Sequence, residues 1–558
     1  MIQKIKAQSK FANFTTKFSA LVVAVLVSNL SIAQDTASDN ISNNLNSIVL
    51  IALVLVILLV VLMVYITSDK LISLTADKIQ VSEDKKEFMS IIPSFNEFIG
   101  SNGKPKDGNY IKLKKGFNIN IQGRAVKEVS SNVKATTYAI NPKDFNGLAP
   151  IPKLLVTEKQ EVKAGDPLFY DRGLEGVNFC APVSGEIVEI RRGAKRSLEE
   201  IVILADAEIK FKEFPKADPN SLSSEEVKNL LKESGAWAFL RERPYNLVAN
   251  PANRPKAIFI SGFDTSPLAP NYNFTLQGLV NEFQAGVDAL RKLTTGKVYL
   301  SLDATINQCD TYASVKNVEK HYFEGKHPAG IVGIQIHHID PINKGDIVWT
   351  VNPAHVVVIG RLFTEGRFNT EQLVAIAGPE IAKPQYHKMY QGANIENFIK
   401  DNLLSNHVRF ISGNVLTGKQ IAANGFLGFF DQLVSVIEEG DQYEMFGWLV
   451  PSYARPSLSP TIPWSSINPD EVFKVNTNLN GEHRAYVVTG EYESVLPMDL
   501  YPQHLIKAIL SNDFEKMEGL GIYEVVEEDL AICEFVCTSK TNVQEILRQG
   551  LDYVREQN

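Results

Sequence analysis

The chain has 558 residues, 44% apolar and 22% charged, with a formal net charge of −8. That length exceeds what one hydrophobic core sustains, so roughly three to five domains are expected. Lys and Arg form no long stripe, which excludes a phosphate-backbone footprint and nucleic acid as a partner. Four cysteines, Cys180, Cys309, Cys533 and Cys537, are too few for a disulfide framework and fit a reducing compartment for the main body.

The N-terminus reads as two segments. Residues 1–17 carry Lys4, Lys6, Lys10 and Lys17 and no acid; an apolar stretch from Phe18 to Leu30 follows and ends in Ser31, Ile32 and Ala33. A basic start, a short apolar run and small residues around a cleavage point describe a secretory signal peptide over 1–33; an uncleaved first span is the alternative. Residues 34–47 form a short periplasmic segment. Ile48 to Ile66 holds no charge and is long enough for one transmembrane helix. Asp35 and Asp39 precede it, and Lys70, Lys78, Lys85 and Lys86 follow it, so the positive-inside rule places the N-terminus in the periplasm and the body in the cytoplasm. Residues 67–109 are a charged linker.

From residue 110 to 210 the pattern is one of short strands and turns. Val162 to Leu168 and Ala181 to Ile190 are strand-turn-strand signals like those of the barrel-sandwich hybrid of biotinyl and lipoyl carriers. A carrier needs a lysine at an exposed hairpin tip, and Tyr170 to Val177 has none. The basic cluster Arg191, Arg192, Lys195 and Arg196 surrounds Gly193 and reads as a solvated turn.

Ser223 to Glu226 is a capping box opening a helix that ends near Gly235. Lys256–Ser261, Lys297–Leu302 and Gly330–Ile336 read as buried strands and Thr275–Leu293 as a helix, which predicts a parallel, Rossmann-like sheet over 220–365. A nucleotide site there needs a glycine-rich turn after the first strand. Ser261 to Pro270 instead offers one glycine, two prolines and Phe263. His337, His338 and Asp340 invite a metal, but neighbouring strand residues face opposite ways and two ligands are too few.

Residues 366–450 contain more short strands, including Val374–Pro379 and Ile411–Gly418. Residues 451–558 read as helical over Leu505–Leu510, Glu527–Phe535 and Asn542–Gln557. Cys533 and Cys537 lie there; a zinc or iron–sulfur site wants about four ligands, so the pair reads as packed core. No catalytic, cofactor-binding or metal-ligating residue is assigned.

Taken in order, several stretches resemble the A subunits of the sodium-translocating NADH:quinone reductases (Na+-NQR). They are Ile111–Gly116, Ala181–Gly185, Asp264–Leu268, Val374–Pro379, Ile411–Gly413, Gly490–Tyr492, Leu496–Asp499 and Glu528–Cys533. The resemblance implies a multidomain α/β fold: a barrel-sandwich hybrid, a Rossmann-like domain, a β-grasp-type domain and a helical C-terminal domain. This fold is similar to that of the NADH- and FMN-binding subunit of complex I, whose glycine-rich loop and cluster cysteines are missing here.

The resemblance also implies a role. The complex couples NADH oxidation and quinone reduction to Na+ export at the bacterial inner membrane, so the chain is expected to be a translocase subunit without independent catalytic activity. Flavins and iron centres belong to partner subunits. This chain is expected to bind no cofactor of its own and to contribute to the quinone end, against the membrane-embedded B subunit. A purely structural scaffold without quinone contact is the alternative. Residues 1–109 depart from the family pattern by adding the anchor.

Overall fold

The computed structural model describes residues 109–130, 133–442, 456, 458 and 471–557. The predicted signal peptide (1–33), periplasmic segment (34–47), span (48–66) and linker up to residue 108 lie outside them. Among the described residues no helix is long and apolar enough to cross a membrane.

The first strands do not pair with their chain neighbours. β1 (Asn109–Lys112) and β2 (Val129–Ser130) lead into two small sheets built from β3 (Thr137–Ile140), β4 (Lys153–Leu154), β5 (Glu161–Val162), β6 (Pro167–Tyr170), β7 (Asn178–Cys180), β8 (Gly185–Arg192) and β9 (Leu198–Ala205). One sheet has the order β3-β9-β8-β5 and the other β4-β6-β7. Alternation makes this module work: Ile187, Ile201 and Ile203 are buried on β8 and β9, and the Phe169 and Phe179 rings stack at 4.8 Å on the second sheet.

Next comes the predicted helix, Ser224–Ser234, capped by the Ser223–Glu226 box and ended by Gly235 in the left-handed region. β10 (Arg241–Arg243), β11 (Leu247–Val248), β12 (Ala257–Ser261), β13 (Lys297–Asp303), β14 (Glu319–Glu324) and β15 (Val348–Val351) then complete a seven-stranded sheet in the order β1-β14-β13-β12-β15-β10-β11. β12 runs parallel to both β13 and β15, with Ile258 opposite Val298 and Trp349. Strands covered on both faces are continuous apolar runs, which is why β12 and β13 are legible in the sequence. Helices Val280–Leu293 and Pro353–Thr364 pack against each other so closely that a Cβ on Gly286 would lie 2.1 Å from the Val356 carbonyl oxygen.

Two expectations in this region are corrected. The run predicted as a third strand, Gly330–Ile336, instead enters helix Val332–Ile339, with Ile331 as its N-cap residue. A short apolar run fits a buried helix as well as a buried strand, and periodicity cannot separate them. The parallel strand beyond β13 is β14, whose sequence Glu-Lys-His-Tyr-Phe-Glu hides its strand character; only His321 and Phe323 are buried. The predicted Thr275–Leu293 helix divides at Gly278, φ +81°, into a four-residue turn at Tyr272–Thr275 and the main helix from Val280.

The third sheet is mixed: β16 (Gln372–Ala377), β17 (Gln385–Met389), β18 (Val408–Ser412), β19 (Lys419–Ile421) and β20 (Leu433–Glu438), with β2 at its edge, in the order β19-β18-β20-β16-β17-β2. β1 pairs with β14 and β2 with β17, so the segment that begins the body stitches the two larger sheets. The C-terminal helices Pro502–Leu510, Glu527–Val536 and Val543–Gln557 match their predicted positions to within a few residues.

Candidate functional site

From β12 the chain builds β13 and β14 on one side, then returns to place β15 on the other. β12 and β15 are parallel neighbours, so the loops leaving their carboxyl ends lie side by side at the same end of the sheet, the end at which ligands bind in open α/β sheets. A cavity of about 280 Å³ lies there. Ser261 and Asp264 line it from the end of β12, and Val351 and Asn352 from the end of β15. Arg241 lines it from β10, Phe430 and Asp431 from the loop before β20, and Glu528 from the C-terminal helices.

The wall formed by Ser261–Pro270 turns its polar groups onto its own backbone and neighbours. Gly262 serves packing: a Cβ there would meet the Leu302 side chain at 2.8 Å. Asp264 turns back to accept a hydrogen bond from the Ser266 backbone N–H at 2.7 Å, and burial raises its carboxyl above the ordinary value. The Gly330 N–H donates to Thr265 Oγ1 at 2.9 Å. The turn Tyr272–Thr275 is capped by its own Asn271, whose Oδ1 accepts from Phe274 N at 3.0 Å. Inward-facing donors and a buried carboxyl do not fit a pyrophosphate, which needs free backbone N–H groups at a helix start.

The opposite wall is aromatic and carries one cation. The Arg241 guanidinium lies over the Phe430 ring, 4.6 Å from its centre, and donates through Nη2 to the Asn246 carbonyl at 3.1 Å. Burial lowers its pKa to about 10, so it stays protonated at neutral pH. The His355 ring stacks on Phe239 at 4.4 Å. Its Nε2 lies 3.3 Å from Gln391 Nε2 and 3.5 Å from Gln432 Nε2, so it faces amide donors and acts as acceptor. Burial first, and then the positive Arg241, lower the His355 pKa to about 3 and keep the ring neutral.

Two carboxyls complete the lining. Asp431 accepts from Ser412 Oγ at 2.6 Å, and burial lifts its pKa to about 6. Glu528 accepts from Arg243 Nη2 at 2.6 Å, yet burial, with help from Asp529 and Asp264, outweighs the arginines and raises it to about 7. Behind it Arg243 Nη1 donates to Asp529, and Arg548 forms a two-pronged pair with Glu527 at 2.6 and 2.8 Å. The first turn of helix Glu527–Val536 is thus anchored to β10 and to helix Val543–Gln557.

The residues weighed from sequence lie elsewhere. His337 and His338 share a helix: His337 Nε2 accepts from Asp499 N, its Nδ1 contacts Glu524 at 2.7 Å, and His338 Nε2 donates to the Pro497 carbonyl. Asp340 pairs with Lys256 at 2.9 Å. Each group has its own partner, and among the described residues no cluster of three or more metal-ligating side chains occurs. Cys533 and Cys537 are buried free thiols in the C-terminal core. At the hairpin tip Asp171 accepts from Ala149 N and Gly173 N, folding the tip onto the module. Arg191 pairs with Glu189 and Glu200 on the surface.

Arg241, His355, Phe430, Asp431 and Glu528 escape sequence reading. Arg241 and Arg243 stand two apart on a strand, and Glu527, Glu528 and Asp529 form an acidic triplet at a helix start. Those are the only local signals of a buried ionic seam.

Three family models match along the chain: the NqrA N-terminal barrel-sandwich hybrid domain over residues 111–206, the NqrA second alpha/beta domain over 222–368 and the NQRA C-terminal domain over 373–423. Among relatives, the A subunit of the Na(+)-translocating NADH-quinone reductase of Hahella chejuensis is 36% identical over 450 residues, covering 80% of this chain and all of that protein. Its counterparts in Neisseria meningitidis serogroup B and Yersinia pseudotuberculosis serotype O:1b are each 37% identical with the same coverage. The chain therefore belongs to the NqrA family, the A subunits of the Na(+)-translocating NADH-quinone reductases.

Proposed function

We propose that the chain serves as the NqrA component of a sodium-pumping NADH:quinone oxidoreductase, a translocase coupling NADH oxidation and quinone reduction to Na+ export. It carries no redox cofactor and works at the quinone end of the complex, against the membrane-embedded B subunit. The observation that carries the reading is the match to relatives over their full length. The cofactor-free reading draws support from the Ser261–Pro270 wall, whose donors turn inward. A protein without an electron carrier acts by binding and positioning, and flavins and iron centres then reside in partner subunits.

The added N-terminus makes this chain a single-pass protein of the bacterial inner membrane in the same proposal: residues 48–66 span, and the body stays in the cytoplasm. Charge asymmetry around the apolar run supports it. Two experiments test these statements. A photoreactive quinone analogue labels this chain in the intact complex, and excess quinone competes the label away; label confined to the membrane-embedded partners favours the scaffold alternative. Protease added outside intact spheroplasts leaves the body uncut; its digestion from that side overturns the topology.

A further inference from the structure

We propose that the ribbon of residues 485–489 is a docking edge for an extended, basic segment of a partner polypeptide, which joins it as a β-strand through the backbone of Tyr486 and Val488. The edge stands independently of the quinone reading.

Residues 482–489 run without a turn or a bend and belong to no sheet. The stretch 485–489 reads Ala-Tyr-Val-Val-Thr, which is β-prone and holds no charge, proline or glycine. The body pins this ribbon at both ends. Arg484 N–H donates to the Ser539 carbonyl at 2.9 Å, and Ser539 Oγ donates to the Ala485 carbonyl at 3.0 Å. Thr489 N–H donates to the buried Gln503 side chain, Oε1, at 2.8 Å, and the Tyr486 hydroxyl donates to the Gln503 carbonyl at 2.9 Å. Between the pins, the backbone N–H and C=O groups of Tyr486, Val487 and Val488 meet no partner among the described residues. Successive residues of an extended chain aim these groups to opposite edges. Tyr486 and Val488 therefore share one edge, which Ser539 occupies at Arg484 and leaves open beyond it. Thr489 meets Gln503 on the other edge.

An open row of this kind is ordinarily blunted by lysine, proline or a bulge, because it invites another strand. Residues 485–489 carry none of these devices, and Val487 and Val488 are 51% and 46% exposed. Two N–H and two C=O groups along one edge are the complement of a second strand, the mode in which an extended peptide adds to an exposed edge. The valines offer such a strand apolar cross-strand contacts. Charge then selects the occupant. Residues 482–557 hold 15 acidic and six basic side chains, a net of −9 against −8 for the whole chain. Glu482 and Glu491 flank the ribbon on either side. A basic segment is drawn to this surface, whereas a second copy of the chain brings the same excess of negative charge and is repelled.

Fluorescence anisotropy on the full-length chain tests this with a labelled short peptide alternating lysine and valine, and with its glutamate–valine counterpart. The lysine peptide binds saturably, and the glutamate peptide binds roughly tenfold more weakly or worse. Bound lysine peptide slows amide hydrogen exchange within residues 484–490. Val488→Pro removes an N–H from the open edge and weakens the lysine peptide roughly tenfold, the worth of a backbone hydrogen bond. Val487→Pro removes an N–H from the opposite edge and leaves the affinity unchanged. Because the peptide pair and the exchange measurement run on the unaltered chain, they decide even if a proline variant fails to fold. No binding of the lysine peptide, equal binding of the two peptides, or unaltered exchange at 484–490 overturns the proposal. So does full affinity in a folded Val488→Pro chain, or self-association of the chain that Val488→Pro abolishes, which assigns the edge to a second copy.

Discussion

Arg243 and Asp529 meet at 2.6 Å although 286 positions separate them, with side chains 1% and 0% exposed. The same Asp529 Oδ2 accepts from the Val526 backbone N–H at 2.8 Å and so starts the helix Glu527–Val536. One carboxylate thus fixes both a helix terminus and the position of the C-terminal helices against β10. Breaking such a pair from one side leaves an uncompensated buried charge. Arg243→Ala is expected to cost roughly 3–5 kcal/mol in urea unfolding. A loss under about 1 kcal/mol, the range of exposed pairs, contradicts this role.

The contact between helices Val280–Leu293 and Pro353–Thr364 depends on two glycines. A Cβ on Gly360 would lie 1.6 Å from the Glu282 carbonyl oxygen, and one on Gly286 would be 2.1 Å from that of Val356. Both obstacles are backbone and cannot swing away. Gly360→Ala should therefore destabilise by about 1–3 kcal/mol, as overpacked cores do, despite alanine's better helix propensity. A stabilised Gly360→Ala protein in thermal unfolding shows that the helices are further apart than described.

Asp431 gives a pH prediction with a definite sign. Its pKa rises from the ordinary 3.8 to about 6 in the folded protein, chiefly through burial, with Asp144 adding to the rise and Ser412 and Lys419 opposing it. The folded state therefore holds the proton more tightly than the unfolded one. The associated stability is fully present below the ordinary value and is lost as pH rises through about 6. Asp431→Asn should flatten that part of the urea stability profile around these two values. An unchanged profile indicates that Asp431 titrates normally.

Cys533 and Cys537 are packed in the core, with the Thr541 backbone N–H donating to Cys537 Sγ at 3.4 Å. Replacing each with Ala should cost roughly 1–2 kcal/mol of packing energy. NADH-to-quinone electron transfer in the assembled complex should be unaltered. Loss of electron transfer in a complex that still contains the folded double variant assigns the thiols a redox role.

How much of the fold is legible in the sequence depends on the physics of each element. β12 and β13 are visible because parallel strands buried on both faces become unbroken apolar runs, and the Ser223–Glu226 box announces its helix locally. Helix Val332–Ile339 passes for a strand because its short apolar run has no polar face to reveal a period. β14 stays hidden because most of its residues are charged or polar and only alternate positions are buried. The cavity lies beyond sequence reading altogether. Arg241, Phe430 and Glu528 come from distant parts of the chain and meet only when the larger sheets and the C-terminal helices are assembled. The Ser261–Pro270 loop, by contrast, shows its single glycine and two prolines in the sequence, while the hydrogen bonds that turn its polar groups inward are seen only in the fold.

The central claim is that this chain works at the quinone end while electrons enter through other subunits. Its most direct test compares membranes containing the complete complex with membranes in which the gene for this chain is deleted and the remaining subunits are still assembled. NADH oxidation is measured with an artificial acceptor and with quinone. The expected result is that the artificial-acceptor rate persists and quinone reduction is lost, returning when the chain is supplied again. Quinone reduction at the normal rate without this chain contradicts the claim.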